Sequence, residues 1–426
     1  MTEPTLIPRS QHRISRDNID DNALKVLYRL HKAGYRALLV GGGVRDLLLN
    51  HVPKDFDIAT DAHPEQIKKL FSNCRLIGRR FRLAHIFFGR EIVEVATFRA
   101  GHDEVSEQQI KDETGRILQD NVYGDIEQDV WRRDFTVNAL YYDIADFSVV
   151  DYVGAMQDVE SRTLRLIGDP DTRYREDPVR MLRAVRFAAK LDFSIHPDSE
   201  QPLYELGHLL DDIPPARLYE EVLKLFHSGQ GVQCLHLLRK YRLLDHVFPM
   251  TAEALDEDDG VFERFLNSAL ASTDARVADD KPITPAFLFS AMLWRSVQSG
   301  AERYQDEDGM PASLAMQNAM SDAVSQQCQT TSIPRRFSTV MRDIWHLQHR
   351  FRFRNGRRAR SLLDHAKFRA AYDFMCLRSQ AGELDDDSCD WWTHIQTLNR
   401  EEQDRLLKPA RNQPRKRRRS NKARSG

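Results

Sequence analysis

The chain has 426 residues, of which 41% are hydrophobic and 30% charged, and its formal net charge is −2. That length and balance give two to three domains with ample core, and exclude collagen-like, largely disordered or short disulfide-stapled chains. Five scattered cysteines (Cys74, Cys234, Cys328, Cys376, Cys389) show no C-x-x-C pair, which argues against a disulfide framework or a zinc site and predicts a reducing, cytoplasmic setting.

The first residues, MTEPTLIPRSQHRISRDN, contain no apolar h-region, so no secretory signal is expected. No apolar run approaches the length of a membrane span. The charge is unevenly placed. Residues 408–424 hold nine Lys and Arg and no acid; taking nine from 62 leaves 53 basic against 64 acidic residues, or −11 elsewhere. Such a block predicts a disordered tail that binds polyanions rather than one that only solubilises.

Residues 1–20 read as irregular. Residues 21–34, DNALKVLYRLHKAG, space Leu24, Leu27 and Leu30 along a helix face. YRALLV then reads as a buried strand running into GGG at 41–43 and a helical VRDLLLN. A strand, DFDIAT, a helix, PEQIKKLF, and two strands, AHIFF and EIVEVATF, follow. Residues 101–120 are polar and aperiodic, a long loop that invites a functional reading. Strands are expected at 137–142 and 148–152, and beyond about residue 175 the pattern is almost wholly helical. Polar stretches near 254–260 and 298–312 read as interhelical loops, and there is no internal repeat.

Five stretches carry chemistry. GGGVRD at 41–46 joins a strand to a helix, where glycines allow a ligand to approach the backbone and a helix start favours phosphate. It is neither a Walker loop nor G-x-G-x-x-G. In PKDFDIAT, Asp55 and Asp57 fall two apart, on one face if the segment is a strand. Paired carboxylates repel unless a cation lies between them, and Mg2+ favours carboxylate and phosphate oxygens. EVATFR puts Glu94 on a strand, either beside that pair or solvated.

WRRDFTVNALYY places Arg132, Arg133 and Asp134 ahead of an apolar run. Two arginines suit phosphate, while Asp134 can serve the metal region or orient Arg133. REDPVRMLRAVRF reads as a helix with Pro178 in its first turn and Asp177, Arg180 and Arg183 at three-residue steps on one face. An Asp acceptor beside an Arg donor matches the edge of adenine or cytosine and mismatches guanine and uracil. An intrahelical ion pair is the plainer reading.

In this order the stretches resemble the class II nucleotidyltransferases, the tRNA CCA-adding enzymes and bacterial poly(A) polymerases. LLVGGGVRD with DFDIAT is similar to that family's head motif, RRDFTVNAL to its second, DYVGAMQDVESRTLRLIG to its third and EDPVRMLRAVRF to its nucleotide-templating helix. The resemblance covers roughly residues 20–230, and Ala155 departs from it where the family usually has a second glycine. GRRFRLAHIFF (78–88), the N-terminal IPRSQHRISRDNIDDNALKVLYRL and the basic tail resemble the poly(A) branch.

The resemblance implies an α+β protein: a nucleotidyltransferase-type α/β head with a mixed or antiparallel sheet, then a long all-α neck and body. The expected boundaries are an irregular segment (1–20), the head (21–160), a nucleotide-reading neck (161–230), an RNA-binding body (231–400) and a disordered basic tail (401–426). It implies template-independent transfer of AMP from ATP to RNA 3′ ends, with Mg2+ as cofactor in a two-metal mechanism and ATP as substrate. Asp55 and Asp57 would bind the metal, and Asp134 would be the third catalytic acid, with Glu94 as its rival. Gly42, Gly43, Arg45 and Arg133 would hold the triphosphate, and Asp177 and Arg180 would read the base.

Selection of A over C must then come from pocket shape, through the head–neck angle or the Arg79–Arg82 segment. In the body, IPRRF (333–337) and HRFRFRNGRRAR (349–360) interleave arginines with aromatics, a pattern that tracks nucleic-acid backbone or is plain helix surface charge. A cytoplasmic monomer working with RNA-decay machinery is expected. The competing readings are a CCA-adding enzyme and a non-catalytic RNA-binding protein with a degenerate transferase domain.

Overall fold

Asp20 opens the first helix: its carboxylate accepts from the N–H groups of Asn22 and Ala23. Helix α1 (Asp21–Lys32) buries Ala23, Val26, Leu27 and Leu30, the 3.6-residue stripe that the sequence spells out. The structure, a computed structural model, describes residues 3–78, 82–100, 122–384 and 387–408, and the backbone of 110–111 and 117–119. The chain divides into two compact units, Met1–Ile213 and Pro214–Gly426.

The first unit is built on an eight-stranded sheet among the described residues. Its strands are β1 (Thr5–Ile7), β2 (Ala37–Val40), β3 (Asp57–Thr60), β4 (Cys74–Ile77), β5 (Leu83–Phe88), β6 (Glu91–Thr97), β7 (Leu140–Asp143) and β8 (Val149–Asp151), in spatial order β1-β8-β7-β2-β3-β6-β5-β4. Within this sheet, among the described residues, only β3 and β6 pair in parallel; the other neighbours are antiparallel. All four residues of β2 are buried, as expected for an unbroken apolar run in mid-sheet. Helices α2 (Gly42–Leu48), α3 (Pro64–Leu70), α4 (Ile126–Arg132), α5 (Ala155–Glu160), α6 (Pro170–Glu176) and α7 (Val179–Leu191) follow in chain order.

Several local expectations need correction. Strand β3 starts at Asp57, so Asp55 lies in the irregular segment before it and the two do not share a strand face by pleat alone. Within 137–142, Thr136–Asn138 is a 3-10 turn and the strand starts at Leu140. The expected helix over 175–187 is two helices: Asp177 ends α6, and Pro178 precedes α7. Strand β4 and helix α4 were not expected, and residues 1–20 are not wholly irregular, since Thr5–Ile7 forms strand β1 against β8. Ala155 needs no positive φ, because Gly154 takes the left-handed position and Asp151 accepts from the N–H groups of Val153, Ala155 and Met156. Most of 101–120, Arg79 and the tail beyond Lys408 lie outside the described residues; within the first, Ile110–Lys111 and Ile117–Gln119 pair antiparallel.

The second unit is helical among its described residues, from Pro215–Phe226 to Arg400–Leu406. Phe265, Phe287 and Trp294 meet Phe374 edge-on. A second cluster gathers Phe351, Phe368, Tyr372 and Trp392. Of the stretch 298–312 only 307–311 is an interhelical loop: a helix runs from Trp294 to Asp306, and only its Trp294, Val297 and Ala301 stripe is buried, so its exposed part reads as polar. The cysteines also depart from expectation. Cys376 and Cys389 form a disulfide joining helices Phe368–Gln380 and Asp387–Thr397, while Cys74, Cys234 and Cys328 are free. Packing of these two consecutive helices brings them together, which a thirteen-residue spacing does not announce.

Candidate active site

Three segments meet at the middle of the sheet. The turn after β2 begins at Gly41, whose φ of 71° suits glycine, and a Cβ there would stand 3.3 Å from Arg133 Nη1. Gly42 is the first residue of α2. A Cβ on Gly43 would stand 3.3 Å from the Asp55 carbonyl oxygen, so the missing side chain lets the aspartate segment settle on the turn.

Val40 at the end of β2 pairs with Asp57 at the start of β3. The parallel register pairs Ile58 with Val95, which sets Asp57 beside Glu94 on one face. Glu94 Oε2 lies 3.2 Å from His85 Nε2 on β5. Solvent reaches Asp57, but the protein around its base is dense. That crowding raises its pKa, Glu94 raises it further, Arg133 pulls it down and Asp55 adds to the rise, leaving it at about 6.

Arg133 is held from three sides. Its Nε and Nη2 donate to Asp129 Oδ2 at 3.3 and 3.1 Å, Nε also donates to Tyr141 Oη at 3.0 Å, and Nη1 reaches the Asn138 carbonyl at 3.3 Å. Tyr141 Oη donates to the same Asp129 oxygen at 2.7 Å. Burial opposes the Arg133 charge, but Tyr141 and Asp129 outweigh it and hold the pKa above the ordinary arginine value. Burial pushes the Tyr141 phenol up. Asp129 and Tyr141 were missed in the sequence; the four-residue step from Asp129 to Arg133 was the available signal.

Asp134 is engaged elsewhere. One oxygen accepts from Arg183 Nε at 2.8 Å and Nη2 at 2.5 Å, and the other from the Asn138 amide at 3.1 Å and the Phe135 N–H at 2.8 Å. Burial works against its ionisation, yet these donors hold its carboxyl below the ordinary range. The charges acting on Asp57 are those of Glu94, Arg133 and Asp55.

Arg45 is 2% exposed. Its Nε and Nη2 donate to Asp46, and its Nη1 to Asn138 Oδ1. It therefore lies beneath the glycine turn rather than out in solvent, with two of a guanidinium's five N–H groups uncommitted.

The Asp177–Arg180 corner is also tied down. Arg180 donates its N–H to the Asp177 carbonyl, and its Nη1 to the Arg173 carbonyl and Glu176. Its ion-pair partner is thus Glu176, because Pro178 takes Asp177 out of the helix. Arg173 in turn donates to the carbonyls of Arg132 and Arg133 at 3.3 and 2.7 Å, hooking this corner to the RRD segment.

Among the described residues no three His, Cys, Asp or Glu side chains converge as a ready metal cluster. Asp55 and Asp57 still fit Mg2+, which is commonly bound by one or two carboxylates and completed by substrate phosphate and water. Asp57's pKa is raised first by burial and then by the carboxylates of Glu94 and Asp55, and a bound cation would offset both.

In the second unit the arginine-rich stretch divides. Arg354 pairs with Asp387 and Arg360 with Asp404, so both serve the fold. Arg352 and Arg358 are exposed, and both lie over the half-buried Phe353 ring, at 4.7 and 4.8 Å. Arg336 lies over Phe337 at 4.7 Å.

The fold is similar to that of a CCA-adding enzyme in its apo form, with a TM-score of 0.59 at 18% identity over 90% of this chain and 82% of that one. Residues 37–165 match the family described as Poly A polymerase head domain, 192–255 that described as Probable RNA and SrmB-binding site of polymerase A, and 308–425 that described as Polymerase A arginine-rich C-terminus. Poly(A) polymerase I of Salmonella typhi is 50% identical over 99% of this chain and 92% of its own length. The CCA-adding enzyme of Bacillus subtilis is 35% identical over 53% of this chain and 55% of its own. The chain belongs to the bacterial poly(A) polymerase family.

Proposed function

We propose that the protein is a polynucleotide adenylyltransferase that adds AMP from ATP to RNA 3′-hydroxyls without a template, releasing pyrophosphate. Similarity over almost the whole length to poly(A) polymerase I carries this reading, whereas similarity to the CCA-adding enzyme covers half of the chain.

Gly42 and Gly43 present backbone to the triphosphate. Arg45 meets it from beneath with its uncommitted N–H groups, and Arg133 from the side of Asp57. Asp177 and Arg180 read the base edge. Asp55 and Asp57 hold Mg2+, with Glu94 as the third carboxylate beside Asp57. When bound, the metal lowers the pKa of the attacking hydroxyl and offsets charge on the departing pyrophosphate. Asp134 is a positioning residue that holds Arg183 and Asn138.

Arg352 and Arg358 with Phe353, and the basic tail, hold RNA by its backbone and its stacked bases. The protein acts as a cytoplasmic monomer alongside RNA-decay machinery. Sedimentation and co-purification from cytoplasmic extract test that part, and a membrane-bound or dimeric species would count against it.

Incubating the purified protein and Mg2+ with an RNA bearing a free 3′-hydroxyl and either ATP or CTP tests the activity. Long A tracts on many RNAs are expected. Addition of C and A confined to tRNA ends would identify a CCA-adding enzyme. RNA binding without transfer of either nucleotide would identify the degenerate case.

A further inference from the structure

Adenine and cytosine offer the same donor–acceptor edge, so the Asp177–Arg180 corner cannot separate them by hydrogen bonds alone. They differ in reach, because a purine carries that edge farther from the ribose. A site that grips the triphosphate at one end and reads the edge at the other selects by length, provided the span between its ends is fixed.

One side chain joins the two ends. Asn138 Oδ1 accepts from Arg45 Nη1 at 2.5 Å, and Asn138 Nδ2 donates to Asp134 Oδ1 at 3.1 Å. The far oxygen of Asp134 accepts from Arg183. Arg45 belongs to α2 with the glycine turn, and Arg183 to α7, one turn beyond Arg180. Both guanidiniums lie against the Phe187 ring, at 5.6 and 5.5 Å.

The amide suits this place. It turns its carbonyl to a cation and its NH2 to an anion, which neither a carboxylate nor a hydroxyl of serine reach can do together. Asn138 is 8% exposed, so water does not readily replace these bonds. Its own turn is pinned by the Thr136 hydroxyl, which donates to Asp158 at 2.7 Å, and by Arg133 on the Asn138 carbonyl.

We propose that Asn138 is a specificity-determining positioning residue: it fixes the span from the phosphate seat to the base-reading corner and so favours ATP over CTP. The proposal rests on the nucleotide site assigned above. A network that served only the fold would, when weakened, slow both nucleotides alike.

The test uses full-length Asn138→Ser, too short to bridge, and Asn138→Asp, which sets a second carboxylate beside Asp134. Thermal melting establishes that each is folded, and kcat/KM is then measured for AMP and CMP addition to one RNA. The ATP-to-CTP preference is expected to fall about tenfold or more in both variants. A preference within about twofold of the parent, with both rates reduced together, would overturn the proposal. So would failure of both variants to fold, since the amide would then be a requirement of the core. Asp177→Ala, run in parallel with GTP and UTP as competitors, tests the underlying reading separately: unchanged discrimination against GTP and UTP there rejects the base-reading corner itself.

Discussion

Asp57→Asn is expected to make the metal-free protein more stable while abolishing transfer. The Asp57 pKa stands at about 6 in the folded protein against 3.8 for the free side chain. The sign follows from which state holds the proton. Below pH 4 both states are protonated and the folded state keeps its full advantage. Between about pH 4 and pH 6 the unfolded chain ionises first, and that advantage is lost as pH rises. The full difference corresponds to about 3 kcal/mol. Because solvent reaches the carboxylate, screening reduces it to about 1 kcal/mol. For a unit of this size that is a Tm shift of about 2–4 °C. Calorimetry in EDTA should show the variant melting higher than the parent at pH 8 and level with it near pH 4. Adding Mg2+ with ATP should raise the parent's Tm and leave the variant's nearly unchanged. A variant no more stable than the parent at pH 8, or stabilised equally by Mg2+, would refute the reading of Asp57 as a crowded metal ligand.

Asp129→Asn removes the charge that Arg133 and Tyr141 share, and should cost about 2 kcal/mol, or about 4–8 °C in Tm. It should also raise KM for ATP more than Tyr141→Phe does, which steady-state kinetics would resolve. Gly43→Ala presses on the Asp55 carbonyl and should lower kcat at least tenfold with about 1 kcal/mol lost in denaturant unfolding. Arg352→Ala with Arg358→Ala should weaken RNA binding and lower its salt dependence by roughly one unit of slope per arginine, while saturating RNA restores the transfer rate.

Much of this site was legible because its chemistry is local. Asp55 and Asp57 sit two apart after a glycine turn, and Arg133 follows from its own short motif. What the sequence hid depends on which way a side chain turns and on what lies across the sheet. Arg45 looks like a free phosphate ligand until α2 is seen to carry it inward to Asn138. Asp134 reads as an acid of the metal region, and nothing near it in the chain announces that Arg183, forty-nine residues later, donates to it. Glu94 could not be placed beside Asp57 without the parallel register of β3 and β6. The same limit explains the Trp294–Asp306 helix, whose narrow apolar stripe resembles a loop, and the Cys376–Cys389 pairing.

Strand β1 has a consequence for how the molecule is made. Its three residues pair with β8, Thr5 lying opposite Asp151. Val149, Val150 and Asp151 are all buried beneath this partnership. During synthesis the N-terminal strand emerges first but finds no partner until nearly 150 residues later, while Asp134 and Asn138 wait for Arg183. The nascent chain therefore holds its carboxylates long before it can use them. Loss of the first few residues would bare a sticky strand edge, leaving an enzyme with intact chemistry that self-associates through its sheet.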